Sequence, residues 1–494
     1  MVQAGRPRYG APHMASGSPV VKRATRTPVL ALAIAVVVLV TWLAAPLFSA
    51  PGDPFAGTAP SASPTGSLAP RPDPTGSPAP RPDQTAGASA SASQPTATPS
   101  ASAATSGSPG ASPGPTPPGV AWLPPVRRYR ARATPSLRAA LDARLDVLRV
   151  KTGIPGISVS IVFADGSRWD GTSGMADVAA KRPVTPDTVF PVASISKTFT
   201  AALILALAAE GRIGLDLPVT SYLPALPIDH AITVRQLLDH RSGLRDFFFG
   251  PGIDRALLSR PGLVWTADRS LRYVGKPFGK PGTAWHYSNT NYLLLGLLAQ
   301  AVTGETVAAQ LHDRFLSRLG LDHTSYQAVE PPRGPLTHAY RFTGANLRLP
   351  PIDLADGSKV APFTSVVTAA GAAGSIASTA GDLATWSRAL YDGDALDPLS
   401  RAAMVADALP TTSYLPTVAY GLGVQVAPIN GYVTLGHSGR FLGAWGAVRW
   451  IADEHIAIAV LTNQSRSDPN RIVADLLRVA LLPWSDCNNC PPGS

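Results

Sequence analysis

Phe190-Pro-Val-Ala-Ser194-Ile-Ser-Lys197 leads directly into an apolar run in which Phe199, Ala202, Leu203, Leu205 and Ala206 mark a helix. A hydroxyl at the first turn and an amine three residues on share one helix face, within hydrogen-bonding reach. That pair can make a nucleophile and its base. The helix N-terminus favours negative charge developing on Ser194, and Lys197 can take its proton if burial keeps the amine neutral. Ser-x-x-Lys alone also fits a helix-capping serine beside an ordinary lysine, so the reading depends on what else the chain supplies. Trp285-His-Tyr287-Ser288-Asn289 adds a phenol and an amide just before a helical pattern that runs to Val302. Gly436-His437-Ser438-Gly439 adds an imidazole and a hydroxyl on a C-terminal strand pattern.

In that order, Ser-x-x-Lys, Tyr-x-Asn and His-Ser-Gly resemble the serine β-lactamase and D-alanyl-D-alanine carboxypeptidase family, on the side of class C β-lactamases and secreted penicillin-binding serine hydrolases. The resemblance extends over residues 134–485. It takes in Thr233-Val-Arg-Gln-Leu-Leu-Asp-His240-Arg-Ser-Gly-Leu244, Gly320-Leu-Asp-His-Thr324 and Ala370-Gly-Ala-Ala-Gly374-Ser-Ile-Ala-Ser378-Thr-Ala-Gly-Asp382. It implies that Ser194 is acylated, that Lys197 accepts its proton, and that Tyr287 relays protons to the leaving group and to the deacylating water. Asn289 would donate its amide to the acyl-side carbonyl. His437, Ser438 and Gly439 would line the strand where substrate docks, and the backbone N–H groups of Ser194 and Arg440 would form the oxyanion hole. His437 stands where class C β-lactamases usually carry lysine, which favours a peptidase or esterase. An unperturbed imidazole loses its charge near pH 6.5, so a carboxylate held by His437 would be gripped less firmly as pH rises; the alternative is that His437 only hydrogen-bonds Tyr287 or a neighbouring hydroxyl.

Other candidates are discounted. His240 reads as a turn or core histidine, Thr379 with Asp382 as a helix cap, and Trp285 and His286 as packing beside the site. Cys487 and Cys490 lie in a polar tail and read as a local disulfide rather than a redox pair. No His/Cys/Asp/Glu set has metal-ligand spacing and no Gly-rich phosphate loop occurs, so neither metal nor cofactor is expected.

The elements that must position these residues are an α/β (α+β) sandwich. Apolar spacing predicts a helix over Pro135–Lys151, and Gly156–Phe163 with Trp169–Met175 reads as a β-hairpin. Far along the chain, Tyr432–Leu435, Ala444–Ile451 and His455–Leu461 read as strands and Pro469–Leu481 as a helix. Between them the patterns are mostly helical, among them Ser194–Glu210, Thr233–Asp239, Asn289–Val302, Thr306–Leu319 and Ala380–Leu390. One antiparallel sheet is therefore expected from both ends of the domain, flanked by helices and interrupted by a helical insertion.

The chain has 494 residues, with 45% hydrophobic, 15% charged and two Cys, which excludes a wholly disordered protein and a disulfide scaffold. Its net charge of +10 is unevenly spread. Residues 1–27 carry five Lys/Arg without Asp/Glu, and residues 51–133 carry six Arg against three Asp, which leaves +2 for the rest. A nucleic-acid partner is not expected. Residues 28–50 read as an uncleaved transmembrane anchor, with the basic N-terminus 1–27 inside the cell and everything beyond outside it. Residues 51–133 hold 19 of the 50 prolines in their first 75 positions and a decapeptide repeat, PTGSLAPRPD then PTGSPAPRPD. This is the composition of a disordered tether. The hydrolase domain then spans 134–485 and a tail 486–494. The combined expectation is a membrane-anchored extracytoplasmic serine hydrolase acting on a small-molecule or peptide substrate, with D-Ala-D-Ala-type cell-wall peptides first. An esterase or β-lactamase of the same family, or a non-catalytic penicillin-binding module, is the alternative.

Overall fold

A computed structural model describes residues 131–342, 351–411 and 418–481. The basic N-terminus, the membrane segment 28–50, nearly all of the tether and the cysteine-bearing tail lie outside the described residues. Among the described residues, no single helix is long and apolar enough to cross a membrane.

Helix α1 (Pro135–Thr152) starts where Thr134 accepts a hydrogen bond from the Leu137 N–H and ends at Gly153, whose φ of 65° is left-handed. Its buried Leu137, Leu141, Leu145 and Leu148 recur at helical spacing and pack on a nine-stranded antiparallel sheet. The sheet strands in chain order are β1 (Gly156–Val162), β2 (Arg168–Asp177), β3 (Arg182–Pro183), β4 (Leu409–Pro410), β5 (Ala419–Tyr420), β6 (Gln425–Ile429), β7 (Tyr432–Phe441), β8 (Ala444–Ile451) and β9 (Ile456–Thr462). In space they run β3-β2-β1-β9-β8-β7-β6-β5-β4. The expected joining of both chain ends is seen directly: β1 pairs with β9, with Ile157 opposite Thr462.

Strand β9 shows how the two faces are filled. Ile456, Ile458 and Val460 face α1 and the last helix, α5 (Pro469–Leu481). The intervening Ala457, Ala459 and Leu461 face α4 (Ala380–Tyr391) and the helical insertion. Helix α2 (Ser196–Ala209) lies in this second layer, where Phe199 stacks on Trp386 of α4 at 4.1 Å between ring centroids. The Trp386 Nε1–H donates to Thr198 Oγ1 at 2.9 Å. Helix α3 (Asn289–Thr303) is also buried there through Tyr292, Leu294, Leu295 and Leu298.

Several features depart from the sequence expectation, among them the helix expected over Thr306–Leu319, which is α-helical only over Val307–Leu311 and continues as a wider π-turn over His312–Leu316. Helix α2 begins at Ser196 rather than Ser194, because Ala193–Ile195 form a tighter 3-10 turn. The sheet also gains β3, β4, β5 and β6, which are short and carry Pro183, Pro410 and Pro428, so no alternating pattern announces them.

Candidate active site

The nucleophile candidate sits on a strained turn. Ala193 has φ 48°, a left-handed value that side chains other than glycine rarely adopt. The turn is held from outside by Val192 N–H donating to Ile376 O at 3.0 Å and Ile376 N–H donating to Ser196 Oγ at 3.0 Å. That bond occupies the buried Ser196. From Thr188 to Leu205, Ser194 is the one residue that is not buried.

Lys197, in the first turn of α2, is fully buried. Its Nζ lies 3.2 Å from Ser194 Oγ, 2.7 Å from Asn289 Oδ1 and 2.8 Å from Ala373 O. Burial lowers the ammonium from its ordinary range to about 7, with Asp246 pulling the other way. A neutral amine has two N–H bonds and one lone pair. The two carbonyl oxygens, of Asn289 and Ala373, satisfy the N–H bonds, which leaves the lone pair for the Ser194 hydroxyl.

Tyr287 is brought to the same place: Lys197 Nζ is 5.0 Å from the centroid of its ring. The segment that carries it is clamped by His240, a buried residue at φ 62°. The carbonyl of His240 accepts from the His286 N–H at 2.9 Å, and its Nδ1 accepts from the Ser288 N–H at 3.3 Å. Asn291 Nδ2 reaches the same Nδ1 at 3.1 Å, so the ring proton resides on Nε2. Burial holds this imidazole well below its usual pKa. His240 is thus a turn-locking residue, and Trp285 packs edge-on to its ring at 5.9 Å.

Asn289 opens α3 with its amide orientation fixed at both ends. Oδ1 accepts from Lys197, and Nδ2 donates to Asp246 Oδ2 at 2.6 Å. One of the two N–H bonds expected to meet the substrate is therefore already in use. Sequence reasoning missed Asp246, whose side chain is 4% exposed. Its only local signal is a charged residue placed directly before Phe247-Phe248-Phe249.

Strand β7 supplies the opposite wall. Its pairing with β6 stops at Gly436, and two residues on the Ser438 N–H donates instead to the side-chain Oε1 of Gln425 at 3.1 Å. Gly439 abuts the nucleophile turn: a Cβ there would lie 1.9 Å from Val192 O and 2.8 Å from Ser194 N. Arg440, whose N–H is expected in the oxyanion hole, is the next residue on β7, and its guanidinium lies over the Trp445 ring at 4.7 Å.

Of the two roles expected for His437, the geometry fits the hydrogen bond to a neighbouring hydroxyl and not the carboxylate grip. The ring is 0% exposed. Its Nδ1 donates to Ser438 O at 2.6 Å and its Nε2 accepts from Tyr420 OH at 3.0 Å, so both nitrogens are satisfied by a neutral imidazole. Burial first, then Lys197, holds it well below its ordinary pKa. Positive charge at this wall comes instead from Arg449 on β8, also missed in sequence. Arg449 Nη2 donates to Ser438 Oγ at 3.0 Å and to Gln425 Oε1 at 2.9 Å. Asn470 Nδ2 also donates to Ser438 Oγ, at 3.0 Å, so that oxygen is an acceptor twice over and its own proton is polarised for donation.

A serine and a depressed-pKa lysine in contact, a phenol beside them and backbone donors across from them are the parts of an acyl-transfer site. The family model described as Beta-lactamase matches residues 137–482, more than half of the chain. The chain belongs to the beta-lactamase family. It is similar to penicillin-binding protein 4 of Amycolatopsis lactamdurans, 31% identical over 65% of this chain and 84% of that protein. It is also similar to the D-aminopeptidase of Brucella canis, 28% identical over 63% of this chain and 56% of that protein. Among solved structures, the D-amino acid amidase of Ochrobactrum anthropi in complex with D-phenylalanine is 28% identical, with a TM-score of 0.60, over 70% of this chain and 98% of that one. A D-stereospecific amidohydrolase from Streptomyces gives 27% identity and a TM-score of 0.58, over 71% and 99%. The protein is a serine hydrolase of the beta-lactamase and penicillin-binding family.

Proposed function

We propose that this hydrolase cleaves amide bonds at D-configured residues through an acyl-enzyme on Ser194, with D-Ala-D-Ala-type peptides as the first substrate, and that it does so outside the membrane that its residues 28–50 would span. The observation that carries the reading is the Ser194–Lys197–Asn289 contact set with β7 packed against the nucleophile turn at Gly439, and the Ser438 hydroxyl backed by buried Arg449. Neutral Lys197 takes the Ser194 proton as the oxygen attacks the carbonyl carbon, and the oxyanion is met by the Ser194 and Arg440 N–H groups. As the C–N bond breaks, the proton on Lys197 passes by way of Tyr287 to the departing amine. Water then adds to the ester, loses its proton to the same pair, and releases Ser194 and a carboxylic acid. Ser438 would orient a substrate carboxylate by donating its hydroxyl proton, and Arg449 would supply the compensating charge. The kinship with D-amino acid amidases and D-aminopeptidases supports D-stereospecificity as the shared element.

The test is turnover by the purified full-length protein on a D-Ala-D-Ala-terminated peptide, D-phenylalanine amide, its L-enantiomer, nitrocefin and p-nitrophenyl butyrate. Hydrolysis of the D-peptide above the other substrates supports the reading. Preference for the free D-amide shifts it to an aminopeptidase or amidase, and equal use of L- and D-amides or preference for the ester overturns it. Ser194→Ala abolishes acylation in every case, with the penicilloyl adduct mapped to Ser194 in the parent.

A further inference from the structure

The contacts around Lys197 require an amide in one orientation, and nothing on α3 itself dictates it. An asparagine side chain can present either its oxygen or its NH2 group to a neighbour. Were Asn289 turned the other way, its NH2 would face the Lys197 amine, compete for the lone pair and take the place of the Ser194 hydroxyl. Asp246 forbids this. As a carboxylate it can only accept, and its Oδ2 is 2.6 Å from Asn289 Nδ2. Its second oxygen is fixed by the Phe248 N–H at 2.9 Å, so the carboxylate cannot swing away. It is buried at 4% exposure, which removes water as an alternative partner for the amide.

We propose that Asp246 is a positioning residue of the acyl-transfer reaction: acting through Asn289, it holds the amide oxygen on Lys197 and so keeps the amine lone pair directed at Ser194. This rests on the Ser194–Lys197 reading above and extends it to a residue that never touches substrate. Asp246 acts a second time through space: among the described residues it is the carboxylate that favours the ammonium form of Lys197, burial pushing its own pKa above the ordinary carboxylate value, and the other titratable groups facing Lys197 are His240, His437, Tyr287 and Tyr292. Both histidines are held neutral by burial, so removing the Asp246 charge leaves no anion to favour the ammonium form of Lys197.

The experiment compares acylation of the full-length protein by p-nitrophenyl acetate and nitrocefin across pH 5 to 9 in the parent, Asp246→Asn and Asp246→Ser. Asparagine removes the charge and the acceptor-only character. Serine keeps a cap for the Phe248 N–H but lacks the reach to Asn289, and it carries the test if Asp246→Asn does not fold. Both variants are expected to lower the acylation plateau about 100-fold, as a misaligned base does, with little change in KM. Both should also move the acidic limb down by about one pH unit, because Lys197 loses the neighbour that stabilised its charge. In an Asn289→Ala background, Asp246→Asn should lower the plateau no further. A serine variant with the parent's plateau and limb would show that Asp246 only caps its turn and would overturn the proposal, as would full additivity with Asn289→Ala. A parent that never acylates at Ser194 overturns the underlying reading and this proposal with it, whereas a parent that acylates beside unaffected variants overturns this proposal alone.

Discussion

At the scale of single residues, the site is built on burying a charge and giving it one precise task. Lys197 is 0% exposed and lowered to about 7, and only its neutral form can accept the Ser194 proton. Acylation is therefore expected to rise with pH through about 7 and then level off, a limb measurable from single-turnover rates. His437 adds no second limb, because its ring is neutral throughout that range. In the proposed reaction a substrate carboxylate would depend on Ser438 and on Arg449, whose guanidinium keeps its charge. KM for a D-Ala-D-Ala peptide is expected to stay flat between pH 6 and pH 8; a rise over that interval would return the carboxylate to His437. Ser438→Ala should raise that KM about 10-fold, the loss of one hydrogen bond to a charged group, and leave a neutral ester unaffected. Ser194, Lys197 and Tyr287 were legible because each is announced by a motif within a few residues. Asp246 and Arg449 were not, because their meaning depends on Asn289 and Ser438, which join them only in the folded chain. His437 stayed between a carboxylate grip and a hydrogen bond to a hydroxyl for the same reason: nothing near it in sequence says that Tyr420 of β5 will cover it.

At the scale of elements, two contacts set the site's dimensions. The nucleophile turn touches β7 at Gly439, where any side chain would collide with Val192 O and Ser194 N. Gly439→Ala is expected to cut acylation by 100-fold or more, since about 1 Å of misplacement suffices, while the circular dichroism spectrum of the sheet is kept. Retained acylation would mean that β7 does not wall the site. The second contact is the His240 clamp on the Tyr287 segment, which ties a left-handed turn to the start of α3. Long, regular elements such as α1, β8 and α5 were legible to within a residue or so from their apolar spacing. The 3-10 entry at Ala193 and the short strands β3 to β6 were not, because both are imposed by tertiary contacts against weak local preference.

At the scale of the whole molecule, the sheet closes the chain on itself. Helix α5 buries Ile472, Val473, Leu476 and Leu477 against α1 and the sheet. At roughly 1.5–3 kcal/mol each, these four rival the roughly 5–15 kcal/mol of a domain's net stability. A chain ending at Asp468 is expected to show no cooperative thermal unfolding transition; a sharp transition would refute that dependence. The joining of β1 to β9 has a consequence in time as well as in space. Ser194 is synthesised well before β7, and β1 before β9, so the nascent polypeptide carries its nucleophile for some 250 residues with no β7 beside it and no closed sheet. Contacts of such long sequence separation also form slowly. A ribosome-bound chain that lacks β7 and β9 is therefore expected to be inert as a hydrolase.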